Sequence, residues 1–146
     1  MLTTDQKGAA AEAAIAATAV KLGVDVYLPM FDSGARYDLI FELDGRLLRV
    51  QCKWARRVGD VVLVRCYSCR RASEGMRVRR YTRDEVDLIA AYCPDVDSCF
   101  ALEPELFVGR RVVHLRLAPS RNQQRAGINW AAEYELGAKL EALLGP

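Results

Sequence analysis

Short apolar runs bounded by turn residues recur along most of the chain, and each run has the length of a strand. They lie at residues 24–29, 36–43, 46–54, 59–66, 87–93, 98–103 and 111–117. Longer segments near the two ends, 3–22 and 130–144, predict helices, and 104–107 predicts a single helical turn. The pattern therefore indicates one α+β domain over residues 1–146, with a mixed central sheet flanked by an N-terminal and a C-terminal helix.

Local signals predict where the helices begin and end. Thr3 can cap the first helix, with Gln6 completing a capping box, and Gly23 ends it. Asn129 is expected to cap the last helix.

The segment RYDLIFELDGRLLRVQCKW, residues 36–54, contains the strongest short hairpin signal in the chain, Asp44-Gly45. If these two residues form the turn, Asp38 faces Gln51, and facing residues point to the same side of a sheet. Side chains alternate along a strand, so Lys53 shares that side with Gln51. The turn therefore predicts a cluster of a carboxylate, an amide and an ammonium group.

This cluster has a chemical interpretation and a structural one. The Asp38 carboxylate, the Gln51 amide oxygen and the backbone carbonyl of Cys52 form a hard oxygen set that suits Mg²⁺. Lys53 adds a positive charge that does not compete for the metal and can stabilise a phosphorane or help to deprotonate water. This combination predicts phosphodiester chemistry. An Asp–Lys ion pair on a solvent-facing sheet surface is the structural alternative.

Charge is distributed unevenly along the chain. The net charge is only +2, but residues 65–83 hold seven arginines against one acid, Glu74. This segment is expected to form a basic loop that binds a polyanion, although a solvated loop has the same composition. The candidates for phosphate contact are Arg70, Arg71, Arg77, Arg79 and Arg80.

Other site types are less well supported. Cys66 and Cys69 could form a zinc site with Cys93 and Cys99, but the second spacing is unusual and Cys66 resembles the end of a buried strand, so zinc is not expected. His114, the only histidine, lies in an apolar strand and is interpreted as structural. No apolar run approaches the roughly 18 residues of a membrane span, and the N-terminus has no signal-peptide pattern, so a cytoplasmic protein without a membrane partner is expected.

With these residues the chain resembles the PD-(D/E)XK nuclease superfamily, whose signature is an Asp on one strand and (Glu/Asp)-x-Lys on the next. Asp38 matches the first part and Gln51-Cys52-Lys53 the second. The chain is most similar to a small group that uses Gln-x-Lys and includes a group I intron homing endonuclease; archaeal Holliday-junction resolvases have a similar fold. The resemblance also covers KGAAAEAAIAATAVKLG, YTRDEVDLIAAYCPDVDSCFAL and RNQQRAGINWAAEYEL, with Glu12 at the position of the first-helix acid.

This resemblance implies a restriction-endonuclease-like core and a Mg²⁺-dependent DNA endonuclease, with Mn²⁺ as a substitute metal. It implies that Glu12, Asp38, Gln51 and Lys53 are catalytic, and that Glu12, Asp38, Gln51 and the Cys52 carbonyl are metal ligands. Gln51 replaces the usual acid and removes a negative charge, for which Glu12 would compensate. A non-catalytic nucleic-acid-binding protein on the same fold and a Holliday-junction resolvase are the alternatives.

The implied partner is duplex or branched DNA, and cutting both strands needs two sites, so a homodimer or homotetramer is expected. The polar loop at 118–128 is the candidate for groove contact, since amides read adenine edges and arginines read guanine or hold phosphate. An exposed polar loop is again the alternative. The residues concerned are Arg121, Asn122, Gln123, Gln124 and Arg125.

Overall fold

The computed structural model describes residues 1–31, 34–119, 122 and 126–144, without the side chains of Arg70 and Arg71. The helices are α1 (Thr4–Lys21), α2 (Pro104–Phe107) and α3 (Leu136–Leu144), and a 3-10 turn spans Ala131–Tyr134. The strands are β1 (Asp25–Tyr27), β2 (Leu39–Leu43), β3 (Arg46–Trp54), β4 (Arg56–Val58), β5 (Val61–Arg65), β6 (Tyr67–Ala72), β7 (Gly75–Arg80), β8 (Leu88–Cys93), β9 (Ser98–Leu102) and β10 (Val112–Arg116). Within the described residues, none of the helices has the length and apolar character needed to cross a membrane.

The central sheet is mixed and has the strand order β1-β2-β3-β8-β9. Its β3–β8 pair is parallel, and its other pairs are antiparallel. A second, antiparallel sheet has the order β10-β5-β4, and β6 pairs only with β7 in a two-stranded ribbon. The observed architecture confirms the α+β class and the mixed central sheet that the apolar pattern predicted.

Two apolar clusters lie on opposite faces of the central sheet. On one face, Leu39, Phe41 and Val50 pack with Ile15 of α1 and Leu140 of α3. On the other face, side chains from β8 and β9 pack with side chains from β5 and β10. Alternate residues of β3 therefore point toward α1 or toward the second sheet, which is the alternation that the sequence predicted.

Turn and cap chemistry explain where the first helix begins and how the first hairpin turns. Thr3 and Gln6 form a reciprocal capping box at the start of α1. Asp44 and Gly45 both have positive φ, 48° and 80°, as a two-residue hairpin turn requires. The resulting register places Leu39 opposite Val50, which confirms the predicted pairing of β2 with β3.

The predicted basic loop is wrong in one respect, because its central part is a hairpin. Met76 and Val78 alternate with arginines along β7, as in a strand, and a turn at residues 73–74 returns the chain from β6. Every residue of β7 is exposed, so no buried face reveals this strand in the sequence. The ribbon is instead held by its backbone ladder and by contacts at its base.

The last helix also begins later than predicted. Asn129 does not cap it; a 3-10 turn without a side-chain cap follows, and α3 starts only at Leu136. Two isolated bridges cause the interruption, since Trp130 pairs with Arg116 and Glu135 pairs with Phe100. These long-range pairs keep the backbone extended where local propensity favours a helix.

His114 lies in a strand, as predicted, but on the exposed side of that strand. Val113 and Leu115 of β10 are 1% and 0% exposed and face the core, whereas His114 between them is exposed on the opposite face of the second sheet. The strand was predicted correctly, but the histidine lies on its outer side.

Candidate active site

The backbone of β3 fixes the position of Asp38 at the start of β2. The Asp38 amide donates to the carbonyl of Val50 at 2.8 Å, and its Oδ2 accepts a hydrogen bond from the Cys52 amide at 2.9 Å. Asp38 is therefore attached to the strand that carries Gln51 and Lys53. Its carboxylate lies at the edge of the β2–β3 pair, and one of its two oxygens is occupied by the backbone.

Glu12 of α1 lies within electrostatic range of the same carboxylate. Burial raises the pKa of Glu12, and the negative charge of Asp38 raises it further. Burial also raises the pKa of Asp38, although the Cys52 amide and the Lys53 ammonium act in the opposite direction. Two half-buried carboxyl groups with raised pKa values favour a bound cation, because a cation would remove the cost of ionising both.

Gln51 and the Cys52 carbonyl form the next part of the cluster. The Gln51 amide nitrogen donates to the Cys52 carbonyl oxygen at 3.2 Å. An amide exchanges its nitrogen and oxygen positions by rotating half a turn about its last bond. The same side chain can therefore place its oxygen, rather than its nitrogen, beside the carbonyl oxygen.

Lys53 is held at the base of the β6–β7 ribbon. Its Nζ donates to the carbonyl of Tyr67 at 2.9 Å and lies 4.8 Å from the centroid of the Tyr81 ring. The guanidinium carbon of Arg36 lies 4.3 Å from the same centroid. Tyr81 is only 3% exposed, so a buried aromatic ring fixes the surroundings of the ammonium group.

Arg36 connects this ring to the ribbon. Its guanidinium pairs with Glu85 at 3.3 Å and donates to Ser68 Oγ and to the Arg79 carbonyl, each at 3.2 Å. The side chain is 14% exposed. Sequence analysis did not identify Arg36, Tyr67 or Tyr81, and the only signal in the sequence is that Arg36 shares the alternation of Asp38.

Asp87, a further acidic residue near the start of β8, pairs with Arg49 instead of joining the cluster. Its Oδ2 accepts from Arg49 Nε at 2.9 Å and from the Arg49 amide at 2.8 Å. The hydrogen bond from Arg49 is the main reason that the pKa of Asp87 is lowered. Asp87 therefore contributes to the strand pairing of β3 with β8.

Of the arginines predicted to contact phosphate, Arg77, Arg79 and Arg80 lie on β7 of the ribbon and are exposed. Arg77 pairs with Glu74 and Arg79 with Glu85, each at 2.7 Å, while Arg80 donates to the Gly109 carbonyl at 3.2 Å. Arg77 and Arg79 are 67% and 68% exposed, and such surface pairs contribute about 0.2–1 kcal/mol each, so a phosphate can replace them. In the backbone register of the ribbon, Arg77 stands opposite residue 70.

The remaining predicted contact residues are only partly covered by the structure. Asn122 is exposed. The side chains of Arg70 and Arg71 lie outside the described part of the chain. Four of the predicted contact residues in the polar loop lie outside it as well. Those four are Arg121, Gln123, Gln124 and Arg125.

The donor atoms of this cluster fit a hard divalent cation. Asp38 and Glu12 offer carboxylates, and Cys52 and Gln51 offer neutral oxygens, which are the ligands that Mg²⁺ prefers. Among the described residues, no three His, Cys, Asp or Glu side chains lie close enough together to bind one metal ion. A metal held by Asp38 and Glu12 would therefore also need neutral oxygen ligands such as those of Cys52 and Gln51.

The cysteines do not converge in the same way. Cys99 lies in the first apolar cluster, Cys66 and Cys93 lie in the second, on the other face of the central sheet, and Cys69 is exposed. Burial raises the pKa of the Cys66 thiol to about 11, which disfavours the thiolate that zinc requires.

Comparisons with known proteins identify the fold and the family of the chain. A bacterial homing endonuclease, I-Ssp6803I, has a similar structure, with a TM-score of 0.77 and 22% sequence identity. The alignment covers 98% of this chain and 94% of that one, so the two proteins share a fold. The curated proteins include no match. The family model described as PD-(D/E)XK endonuclease matches residues 2–137, and the chain therefore belongs to the PD-(D/E)XK endonuclease family.

Proposed function

We propose that this protein is a Mg²⁺-dependent DNA endonuclease that hydrolyses phosphodiester bonds at the end of the β2–β3 pair. The observation that carries the proposal is the convergence of Asp38, Glu12 and the Cys52 carbonyl with the ammonium group of Lys53. Family membership supports the nuclease activity. The metal and the roles of the individual residues are inferred from the donor atoms.

Asp38, Glu12, Gln51 and the Cys52 carbonyl would hold the metal. When bound, Mg²⁺, or Mn²⁺ as a substitute, supplies Lewis-acid stabilisation of the reacting phosphate. Asp38 is suited to this position because the Cys52 amide binds its Oδ2 and orients the carboxylate. Glu12 provides the second negative charge, which the neutral side chain of Gln51 does not provide.

Lys53 would act on the phosphate or on the attacking water. Its hydrogen bond to the Tyr67 carbonyl and its contact with the Tyr81 ring fix the ammonium group on the side of the β6–β7 ribbon. From that position it can neutralise negative charge that develops on the phosphate, or transfer a proton at Nζ. Both roles require the side chain to be held in place before the substrate arrives.

The β6–β7 ribbon and the polar loop at 118–128 would bind the DNA. Phosphate contacts from Arg77, Arg79 and Arg80 add affinity at any sequence, whereas the loop carries the amides that can read bases. Cutting both strands of a duplex requires two such sites, so we propose that a homodimer or homotetramer is the active form. A structural relative is a homing endonuclease, and a resolvase acting on branched DNA would use the same chemistry on a differently shaped substrate.

The decisive experiment compares cleavage by the parent protein and by Asp38→Ala. Purified protein is incubated with linear, supercoiled and four-way-junction DNA, in Mg²⁺ and in EDTA. We expect cleavage in Mg²⁺ by the parent and none in EDTA. Asp38→Ala should lose cleavage but keep its circular dichroism spectrum and its affinity for DNA.

Each other outcome has a distinct meaning. Parent-like cleavage by a folded Asp38→Ala variant would show that the carboxylate only holds the Cys52 amide and takes no part in the reaction. Strong DNA binding without cleavage of any substrate, by the parent protein, would favour a non-catalytic binding protein with the same fold. Exclusive cleavage of the junction would identify a resolvase.

A further inference from the structure

The outer face of the β10-β5-β4 sheet is basic. Val62, Val64, Val113 and Leu115 point into the core, so the alternate positions of β5 and β10 point outward. His114 lies opposite Leu63, which in turn lies opposite Arg56 of β4. The same pairing places four basic side chains in adjacent rows on this outer face: Arg56, Arg65, His114 and Arg116.

A groove runs along the β10 side of this face. Its volume is about 340 Å³, and it is bounded by β10 and by residues 127–129. Val61 and Val112 contribute apolar surface, and Arg110, His114 and Arg116 contribute basic groups. No acidic residue lines the groove in the described part of the chain, so its charge is not compensated from within.

The distribution of these arginines fits an extended polyanion better than a single small anion. They are spread along the strand and across three strands, and do not converge on one point. An extended strand from Arg110 to Arg116 is about 20 Å long. Along one strand of duplex DNA, successive phosphates are separated by a helix rise of about 3.4 Å. The face therefore spans several consecutive phosphates.

The chain beside the groove also contacts a residue next to the candidate active site. Arg111, next to Arg110, lies with its guanidinium carbon 5.3 Å from the centroid of the Tyr67 ring. The carbonyl of the same Tyr67 accepts the hydrogen bond from Lys53. Two consecutive arginines, Arg110 at the groove and Arg111 at Tyr67, therefore place the groove near the side of the active site that Lys53 occupies.

We infer that the outer face of the β10-β5-β4 sheet binds the phosphate backbone of duplex DNA beyond the cleavage site. The inference rests on the proposed function and extends it, since none of the basic residues of this face belongs to the ribbon or to the polar loop. The contacts would contribute affinity at any sequence, because they involve phosphates and not base edges.

The test is a salt series of duplex DNA binding for the parent and for Arg56→Ala/Arg110→Ala. Both side chains are exposed, so their removal leaves the core intact. Ca²⁺ replaces Mg²⁺ to slow cleavage. Each lost phosphate contact reduces the magnitude of the slope of log K against log salt by about 0.9. The slope of the double variant should therefore be smaller in magnitude than that of the parent by about 2.

The matched control is Lys21→Ala, which removes an exposed charge from α1, the helix on the other face of the central sheet. It should keep the parent slope. Arg56→Glu/Arg110→Glu should weaken DNA binding further than the alanine variant, and the melting temperatures of all variants are measured in parallel.

Three results would overturn the inference. One is a parent-like salt slope for both double variants. Another is a loss of affinity for inorganic phosphate or a mononucleotide with unchanged DNA binding, which would identify a small-anion site. The third is a preference for duplex RNA that only these arginines support. If the parent itself neither binds nor cuts DNA, the proposed function fails. If the parent binds and cuts DNA but the variants behave like the parent, only this inference fails.

Discussion

The hairpins β2–β3 and β6–β7 both turn on two residues and pair antiparallel, but different forces hold them. In the first, Leu39, Phe41 and Val50 are fully buried on one face of the central sheet. In the second, every residue of β7 is exposed, and Met76 is 62% exposed. The ribbon has no apolar face of its own in the core.

This difference matches the chemistry that each hairpin carries. The β2–β3 pair holds the Asp38 carboxyl group and the Gln51 amide, and partial burial fixes their orientations. Burial also raises the pKa of Asp38. The β6–β7 ribbon presents guanidinium groups that must reach a partner and release counterions. Precise placement requires packing, whereas phosphate binding tolerates mobile and solvated side chains. The two regions meet at one hydrogen bond, from Lys53 to the Tyr67 carbonyl.

The largest effect on this comparison is expected from Lys53→Ala. If the lysine assists the reaction, the cleavage rate at saturating DNA should fall by a factor on the order of 10² or more. Metal affinity should stay similar or rise slightly, because a positive charge is lost beside the carboxylates. Single-turnover cleavage and metal titration by calorimetry measure the two quantities.

The control is Lys139→Ala. Lys139 also lies 4.8 Å from an aromatic centroid, that of Tyr134, but it pairs with Glu103 away from the site. Cleavage by this variant should be unchanged. If Lys53→Ala cleaves at the parent rate, Lys53 serves only to hold the base of the ribbon through Tyr67 and Tyr81, and the β2–β3 hairpin has no special chemical role.

The second prediction separates binding from chemistry in the ribbon. Replacing Arg70, Arg71, Arg79 and Arg80 by alanine should flatten the salt slope of log K by roughly 3 to 4. When the salt concentration is raised fourfold, the change in affinity should therefore differ between parent and variant by a factor on the order of 10². Binding to specific and random duplexes should weaken alike, and the single-turnover rate at saturating DNA should change far less than in Lys53→Ala.

A parent-like salt slope would contradict this prediction and show that the ribbon is a solvated surface. A variant of α1 that lacks Lys7 and Lys21 serves as the charge control, since that helix lies on the opposite side of the sheet. If both regions affected turnover equally, the division into a chemical and a binding hairpin would be wrong.

Sequence patterns could predict the first hairpin but not the second, for a physical reason. In residues 39–50 the turn chemistry of Asp44-Gly45 and the alternation of buried positions agree, and together they specify the register. In residues 67–80 the alternation exists only as Met76 and Val78 among arginines, and neither face is buried. Hydrophobic alternation marks a strand only where one of its faces is buried, so an exposed ribbon has the sequence pattern of a loop.

The site shows the same limit. The register of β2–β3 was enough to bring Asp38, Gln51 and Lys53 together, whereas Glu12 was identified only through the family resemblance. Tyr81 and Arg36 could not be predicted, because the contacts of the Tyr81 ring with Lys53 and with Arg36 arise from the docking of the ribbon base against β3. The late start of α3 has a similar origin, in long-range bridges that override local propensity.

The third prediction tests the connection between the hairpins through Tyr81. A cation–π contact contributes about 0.5–2 kcal/mol, so Tyr81→Leu should lower the single-turnover rate constant by roughly 2- to 30-fold. Tyr81→Phe keeps the ring and should retain most of the activity. The rate constant at saturating DNA reports on folded molecules alone, so a smaller folded fraction does not change it.

Tyr134→Leu, which removes the ring beside Lys139, is the matched control and should leave the rate constant unchanged. A purely structural role for Tyr81 predicts lower melting temperatures with parent rate constants. That result would show that the base of the ribbon does not position the lysine.

The smallest effect concerns the cost of burying Asp38. Its pKa is raised in the folded protein, mainly by burial, so the folded state favours the protonated carboxyl over the carboxylate. Stability is therefore lost as the pH rises through this raised pKa, and it is regained below the unfolded value of about 3.9. Without added metal, Asp38→Asn should be more stable than the parent at neutral pH, because Asn carries no charge and can still accept from the Cys52 amide.

The difference should shrink as the pH falls toward 4 and below, where the parent carboxyl is protonated in both states. A change of about 1 kcal/mol moves the melting temperature of a protein of this size by about 2–4 °C, which calorimetry resolves. Adding Mg²⁺ should reverse the order, because a ligand that binds only the folded state stabilises it and the variant has lost a ligand. A parent that is more stable than Asp38→Asn at neutral pH without metal would mean that the carboxylate is held by Lys53 for stability, and the chemical role of the β2–β3 hairpin would lose its main support.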